Sequence, residues 1–511
     1  VRLRAGNRWL ECDVVSDGKH LYVRSPYNKH LLGELRAMEG AKWQRKERVW
    51  KVKASRRNQM QLAILAGETP FELRPYHAPV HHHPPRRDCL WPRQQRMLDF
   101  VLSRPGCVIA ADMAAGKTLV AIEVMEANPG EWLYVGPGKA LAAVKLEFLK
   151  WHATVTPAFC TYAGLRRLVE CWPEGKTAPR GVVFDESQHI KGPNNKTCEA
   201  AQHLADAIRE DHGDELAFII CMSGTPQPKN PVDWWRQVEV VRPGLVRESS
   251  GRVLERRLGV FEQMEAGGRV FQKRVGWVDE ECKLWAKRIA PAVHVERVDD
   301  LPDLEYHRLD LKPSPSTLRA AQLLLHTSSG APEALNRLRQ LSDGFQYGET
   351  FKRGETPKDD AVLDLLDRYP ARGVFYAAFT ASVNRVVELA QRKGRLVIRC
   401  DGRGWQNEEL LIHMQDEELL DGKGLVFVGQ PGAGGTGLNM QGSRFVCFYS
   451  NDFNGGSRAQ AEARIRRYGI KWRPKVYDLA HLAVDDFVLK NHKLKRTMQQ
   501  VTFEEIESLV R

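Results

Sequence analysis

The sequence has no CxxC pair and no regular cysteine spacing, although it carries ten cysteines: Cys12, Cys89, Cys107, Cys160, Cys171, Cys198, Cys221, Cys282, Cys400 and Cys447. This absence argues against a structural zinc site or a disulfide framework, and the thiols are expected to be reduced, as in a cytosolic protein. No apolar run approaches the roughly eighteen residues of a membrane-spanning helix, and no basic-then-apolar leader opens the chain. Neither membrane insertion nor secretion is therefore expected. Internal repeats and low-complexity tracts are also missing. The histidine run His81, His82 and His83 sits among prolines without partnering Cys or His, and reads as solvated linker rather than as a metal site.

What the sequence does contain is length and positive charge. At 511 residues it exceeds one ordinary core and is expected to form several compact units. With 42% hydrophobic and 27% charged residues it can bury cores and keep a solvated surface, so disorder is not the expected state. A net charge of +12 suits a polyanionic partner, because each phosphate neutralised by Lys or Arg releases condensed counterions. The surplus is uneven. Residues 1–70 hold fifteen Lys/Arg against seven Asp/Glu, which marks the N-terminal part as a contact surface.

Residues 1–70 mix a short alternating segment at 20–23, a helical stretch over 29–38 and a further element over 43–52, the pattern of a small α+β unit. Residues 71–88 are proline-rich, lack periodicity and read as linker. Over 89–244, strand-like apolar runs at 107–111, 132–135, 181–184 and 217–222 alternate with amphipathic stretches, predicting a doubly wound α/β lobe with a parallel sheet. A charged spacer over 245–310, containing Phe261, Met264 and Trp285, reads as mostly helical. A second α/β lobe is expected over 311–511, with strands at 373–377, 396–400, 425–428, 445–449 and 476–479.

Residues 110–118 (AADMAAGKT) set Gly-Lys-Thr after a strand and before the helical run LVAIEVME. Such a turn aims the backbone of Asp112, Met113, Ala114, Ala115 and Gly116, and the positive helix end, at phosphates. In that pattern Lys117 reaches the β- and γ-phosphates and Thr118 binds Mg2+. The usual first glycine is Ala111 here, and Gly-Lys-Thr alone is common. Residues 181–191 (GVVFDESQHIK) lift Asp185 and Glu186 to the carboxyl end of a strand, the edge where ligands collect in open α/β sheets. There Asp185 would hold Mg2+ through water and Glu186 would orient and deprotonate an attacking water. The plain alternative is a solvated carboxylate pair. SGTP at 223–226 ends another strand at the same edge, or forms an ordinary turn. In the second lobe, residues 429–441 (GQPGAGGTGLNMQ) either let the backbone approach a ligand closely or form a flexible loop. Arg464 and Arg467, in QAEARIRRYG at 460–469, are expected on one helix face. They form either an exposed basic surface or arginine fingers worth roughly 10³–10⁵ in rate.

Taken in order, LWPRQ at 90–94, DMAAGKT at 112–118, DESQHIK at 185–191, SGTP at 223–226, GAGGTGLN at 432–439 and QAEARIRRYG at 460–469 resemble the motif series of the Swi/Snf-type DNA translocases of helicase superfamily two. The resemblance covers both lobes. It implies two tandem RecA-like lobes, ATP and Mg2+ as cofactors, and DNA as partner. By that resemblance Gln94 reads adenine, Ser223 and Thr225 couple hydrolysis to DNA grip, and Gln460 approaches the γ-phosphate beside Arg464 and Arg467. Gly435 would belong to the ATP site, while Pro137, Thr161, Tyr162 and Thr436 would touch DNA. Two departures stand out: Ser187-Gln188 where Ala-His is usual, and Ile470 where Gln is usual. Neither removes a catalytic group, but both bear on the coupling. Residues 22–52 resemble the HepA-related domain found beside annealing-helicase motors, through Tyr27, Asn28, Trp43 and Trp50. That implies a grip on branched or junction DNA by phosphate contacts and base stacking, against the plainer reading of the tryptophans as core.

The expected activity is an ATP-dependent duplex-DNA translocase that remodels or reanneals branched DNA, with ATP bound between the lobes and little sequence preference. A strand-separating helicase usually requires a wedge element; none is recognised in the sequence, but that does not exclude one and this reading stays open. A chromatin remodeller is disfavoured, as no histone-reading module is recognisable. From another class, an ATP-independent DNA-binding protein with a degenerate motor is opposed by the presence of Lys117, Thr118, Asp185, Glu186, Arg464 and Arg467. The expected location follows the DNA: the cytoplasm if bacterial or viral, the nucleus if eukaryotic.

Overall fold

Continuous apolar runs bounded by turns become the central strands of two separate parallel sheets. The computed structural model describes residues 1–493 apart from 68–89, 105, 174, 192–194, 215, 225–230, 267–268, 300, 347–351, 435–437, 454 and 468. The linker expected at 71–88, with its three histidines, lies outside the described residues, as do Thr225, Gly435 and Thr436. The chain divides into two compact units, Val1–Gly138 with Phe148–Arg297, and Lys139–Glu147 with Val298–Arg511.

In the first unit the sheet order is Val293–Glu296, Gly106–Ala111, Phe218–Ser223, Gly181–Asp185, Trp132–Gly136 and Ala158–Thr161, every pair parallel. The four expected strands form its centre and are buried at every residue, as strands of a parallel sheet covered on both faces are. Full burial of each Val, Ile or Phe there contributes about 1.5–3 kcal/mol. The two outer strands carry exposed or half-exposed residues and no long apolar run, so hydrophobic patterning does not reveal them. Helix Lys117–Ala127, which follows the first central strand, is buried over residues 119–125. Helix Lys196–His212 starts where the Asn195 side chain accepts the N–H of Thr197 at 2.9 Å.

Residues 1–67 form the expected small α+β body. A four-stranded antiparallel sheet runs Asp13–Ser16, His20–Arg24, Val49–Lys53, Lys42–Gln44, beside a two-stranded sheet and helices Lys29–Ala37 and Arg56–Leu65. Leu3, Val23, Leu31, Leu35 and Val52 are fully enclosed in its core. This body belongs to the first unit and is joined to it by buried polar contacts. Arg57 Nη1 lies 2.5 Å from Glu239 Oε2, and Arg57 Nη2 donates to the carbonyls of Val246 and Glu248. Gln61 Nε2 donates to the carbonyls of Val246 and Arg247, both at 2.9 Å. Gly244, at φ +84°, lies under the Arg57 carbonyl, where a Cβ would approach within 2.4 Å.

The spacer departs from its mostly helical expectation. Helices Gly251–Leu258 and Asp279–Ile289 are present, but between them Gly259–Ala266 and Arg269–Trp277 pair as an antiparallel hairpin that carries Phe261 and Met264. Most hairpin residues are exposed, so no buried face writes the two-residue alternation that marks a strand. The spacer also supplies the edge strands Val293–Glu296 and Glu305–Asp310, one to each sheet.

The second unit has the order Glu305–Asp310, Lys475–Ala480, Phe445–Phe448, Arg372–Tyr376, Leu425–Gly429, Leu396–Asp401, Gly404–Gln406, parallel except for the last pair. All five strands expected there are present. Helix Ala483–Lys493 is pinned by a fully buried Lys358, whose Nζ lies 2.9 Å from Asp343 Oδ1 and 3.2 Å from Asp485 Oδ1. Asp485 Oδ2 also accepts the Ser342 hydroxyl at 2.7 Å and the His481 N–H at 2.9 Å.

Candidate functional site

The strand Gly106–Ala111 runs into a turn at 112–116 that opens the helix Lys117–Ala127. The turn needs left-handed backbone at Ala114 (φ 69°) and Gly116 (φ 82°). Glycine adopts it freely, whereas at Ala114 it costs about 1–2 kcal/mol. A Cβ at Gly116 would lie 2.0 Å from Gln94 Nε2, so any side chain there would displace the Gln94 amide. Gln94, on helix Pro92–Leu102 and almost enclosed, accepts the N–H of Trp91 at 2.9 Å and donates to the Gly116 carbonyl at 3.4 Å. The adenine-reading candidate and the phosphate-binding turn are thus brought together. Arg96 ties the same helix to the sheet edge through Glu296, whose carboxylate also lies 2.9 Å from His294 Nε2. Lys117 bends back over the turn, its Nζ donating to the carbonyls of Ala111 at 2.8 Å and Asp112 at 3.1 Å. Thr118 lies half-buried in the first helical turn, Met113 and Ala115 line the loop, and Asp112 is exposed.

Parallel register sets the acidic and hydroxyl residues at the same edge: Asp185 pairs with Met222, and Ser223 with Ala110. Asp185 is buried. Its Oδ2 accepts the Tyr134 hydroxyl at 2.9 Å and its Oδ1 the N–H of Glu186 at 3.0 Å. Burial first, and then the charge of Glu186, push the Asp185 carboxyl up to about 6, against the pull of Lys117 and the Tyr134 bond. A carboxyl placed this way gains from a nearby cation. Glu186 takes a left-handed conformation, φ 52° and ψ 52°. Its Oε2 accepts Gln188 Nε2 at 2.9 Å, and Gln188 Oε1 accepts the Ser223 hydroxyl at 2.5 Å. The Ser187-Gln188 departure therefore keeps a link between the acidic strand and Ser223, through one neutral amide. The Ser187 hydroxyl is turned away to Gln237 Oε1 at 2.6 Å. Sequence reasoning missed Tyr134 and met Gln188 only as a departure from the motif. The available signal for Tyr134 was a hydroxyl-bearing side chain inside an otherwise apolar strand.

Among the DNA-contact candidates of this unit, Thr161 caps helix Tyr162–Glu170 by accepting the N–H of Gly164 at 3.0 Å. Tyr162 is 8% exposed and donates its hydroxyl to the Asp185 carbonyl at 2.8 Å. Its side chain is turned inward and braces the acidic strand. Pro137 follows the strand Trp132–Gly136 and is half-buried.

In the second unit Arg464 and Arg467 converge on one acceptor, the Leu438 carbonyl, at 3.3 and 2.8 Å. Arg467 Nε also faces Asn439 Oδ1 at 3.4 Å. The helix Gly455–Glu462, which carries the half-buried Gln460, ends before them. The arginines thus occupy the turn beyond the helix, not one helix face, and their bonds fasten the segment after the glycine-rich stretch.

Within residues 1–67, Tyr27 is 86% exposed and Trp43 47%, whereas Trp50 is 8% exposed and part of the core. The two indole rings lie 5.5 Å apart at 49°. With Asn28 and Arg36 they line a groove of about 330 Å³. The core reading therefore holds for Trp50, while Tyr27 and Trp43 face solvent. Among the described residues no helix is long and apolar enough to cross a membrane, and no group of three or more His, Cys, Asp or Glu is arranged to hold a metal ion.

No family model matches the chain. It is similar to the SWI/SNF-related matrix-associated actin-dependent regulator of chromatin subfamily A-like protein 1 of Xenopus tropicalis, 21% identical over 424 residues, covering 78% of this chain and 43% of that protein. The homologue of that protein in Caenorhabditis elegans is 22% identical over 413 residues, 75% of this chain and 57% of its own length. The human DNA annealing helicase and endonuclease ZRANB3 is 22% identical over 420 residues, 74% of this chain and 37% of its own. The chain thus spans about half the length, or less, of these curated relatives. A solved structure of a Sulfolobus solfataricus SWI2/SNF2 ATPase core in complex with dsDNA aligns over 86% of this chain and 98% of its own, at 16% identity and a TM-score of 0.34.

Proposed function

We propose that this chain, similar over about three quarters of its length to Swi/Snf-type proteins of helicase superfamily two, hydrolyses ATP to translocate along duplex DNA and to remodel or reanneal branched DNA. The observation that carries the reading is the assembly of Gln94, Gly116, Lys117, Asp185, Glu186 and Ser223 at the carboxyl edge of one parallel sheet. Gln94 would read the adenine edge. The backbone of 112–116 and Lys117 would hold the phosphates, where a loop without a Cβ at Gly116 lets a ligand close. Mg2+ carried with the nucleotide would be held by Thr118 and Asp185, and would neutralise phosphate charge. The buried Asp185 beside Glu186 fits a cation there.

Glu186, steered by Gln188, would orient and deprotonate the attacking water. Arg464, Arg467 and Gln460 of the second unit would stabilise charge in the transition state. Ser223, bonded to Gln188, would report nucleotide state to the DNA grip, to which Pro137, Thr161, Thr225 and Thr436 would contribute. The basic body at 1–67 would add contacts to branched DNA through phosphates. Action would follow the DNA, in the nucleus of a eukaryote or the cytoplasm of a bacterial or viral system.

The test is ATP turnover with and without DNA for the parent chain, Lys117→Ala and Glu186→Gln. Both substitutions should abolish DNA-stimulated hydrolysis while DNA binding persists, and unchanged turnover in Lys117→Ala would remove the site.

A further inference from the structure

We propose that the groove between Tyr27 and Trp43 is a slot for one unpaired nucleobase of a single strand. The inference rests on DNA as the chain's partner and names the part of the DNA this body takes.

Tyr27 and Trp43 stand open to solvent, as Trp9, Val1 and Val15 do elsewhere on this body, and Tyr27 and Trp43 are the ones that line a common groove. Tyr27 lies in the stretch before helix Lys29–Ala37, and Trp43 on the edge strand Lys42–Gln44. Burying either is worth a large apolar contribution to folding, yet the fold leaves both out. Between them the groove is about 330 Å³, floored by Trp50 and Leu32, with Asn28 and Arg36 as its polar walls. Trp50 is fixed in the core, so it holds Trp43 at 5.5 Å as a rigid flat surface. Arg36 sits 5.9 Å from the Trp50 ring centre, with its guanidinium free to face a base edge or a phosphate. A flat π-faced ligand with polar edges matches these walls.

The rim names the rest of the ligand. The turn joining the strands of Trp43 and Trp50 carries Arg45, Lys46 and Arg48, and Lys29 and Lys42 flank the groove. All five are exposed, as is Arg36, and none forms an ion pair among the described residues. Glu34, Glu39 and Glu47 are the nearby acids in the sequence, and Glu34 is paired with Arg247 at 3.3 Å. Aromatic walls also suit a proline-rich peptide, but a rim of uncompensated cations favours a backbone of phosphates. Bases of an intact duplex are paired and stacked, and cannot enter. Unpaired bases can, and stacking of one on an aromatic side chain is worth roughly tenfold to a hundredfold in affinity. The buried Arg57 and Gln61 contacts keep the body that carries this slot attached to the first unit.

The experiment measures binding of the full chain, without nucleotide, to a fluorescein-labelled dT12 strand and to an abasic strand of the same length and charge. The dT12 strand is expected to bind about tenfold to a hundredfold more tightly. Trp43→Ala and Tyr27→Ala should bring dT12 down to the abasic value, and Trp43→Phe should restore most of the difference. Both altered residues are exposed, so the fold is not at stake, and a far-ultraviolet spectrum confirms it. Equal affinity of the parent for both strands, or an unchanged preference in Trp43→Ala, overturns the slot. So does a proline-rich peptide that binds the parent more tightly than dT12 and loses affinity in Trp43→Ala, which would assign the groove to a protein partner. Duplex-stimulated ATP hydrolysis, read separately on closed circular DNA with no unpaired ends, decides the motor reading by itself.

Discussion

Arg57→Met probes the joint between the N-terminal body and the rest of the first unit. The substitution keeps much of the side-chain stem but strands Glu239, whose side chain is only 6% exposed. The donor then left to its carboxylate is the N–H of Gly244, 3.3 Å from each oxygen, with Arg236 contributing at longer range. Burial already pushes the Glu239 carboxyl up, and Arg57 opposes that push. Removing one member of a buried ion pair costs about 3–5 kcal/mol. The carbonyls of Val246 and Glu248 each lose one donor but keep Gln61 Nε2 and Trp235 Nε1, both at 2.9 Å, and so add little. A loss of about 3–5 kcal/mol approaches the whole stability of a marginal domain, so the joint should open while the central sheet stays folded. The assay is hydrogen exchange over residues 56–65 and 234–248, alongside urea unfolding. Arg57→Met should show fast exchange in both segments and an early unfolding step. Arg57→Met combined with Glu239→Leu, which removes both charges, should recover at least half of the loss. An Arg57→Met chain within about 0.5 kcal/mol of the parent would refute the clamp.

Ala114 holds a left-handed backbone, so Ala114→Gly should be neutral or stabilising by up to about 1 kcal/mol, whereas Ala114→Val should destabilise by about 2 kcal/mol; thermal melts read both. Gln188→Ala should cut kcat about tenfold with little change in KM for ATP, because it unties Glu186 from Ser223; Gln188→His should retain part of the rate, and equal kcat in all three would exclude a positioning role. The Asp185 carboxyl is raised from its ordinary range to about 6. The folded state thus binds its proton more tightly than the unfolded chain does, and the penalty grows as pH rises from about 4 to 6 and is full above that. Asp185→Asn should therefore raise the melting temperature of the nucleotide-free chain at pH 7.5 by a few degrees, with no gain at pH 4, while abolishing turnover; a lower melting temperature at pH 7.5 would contradict this.

The central strands were legible because a parallel sheet buried on both faces leaves continuous apolar runs, as in 107–111 and 425–428. Edge strands such as Val293–Glu296 and Glu305–Asp310 bury little, so they leave no such mark, and the exposed hairpin Gly259–Trp277 hid inside a spacer that looked helical for the same reason. Local motifs placed Asp185 and Ser223 at strand ends and Lys117 at a helix start, where the structure has them. What they could not name was tertiary. Gln94 reaches Gly116 from a separate helix, and Tyr162 turns inward to Asp185 although its motif suggested a surface role. Arg464 and Arg467 are three apart, as a helix face requires, yet the helix stops at Glu462 and a turn carries them instead. At the N-terminus the two tryptophans look alike in sequence, and only the packing of the sheet separates the buried Trp50 from the exposed Trp43.

The most direct measurement is ATP hydrolysis by the purified chain, first alone and then with single-stranded, duplex and forked DNA. Stimulation of about tenfold or more by duplex or forked DNA, lost in Lys117→Ala, is the result the account predicts. Stimulation by single strands alone would replace the duplex translocase with a strand-separating helicase, and no hydrolysis under any of these conditions would contradict the motor itself.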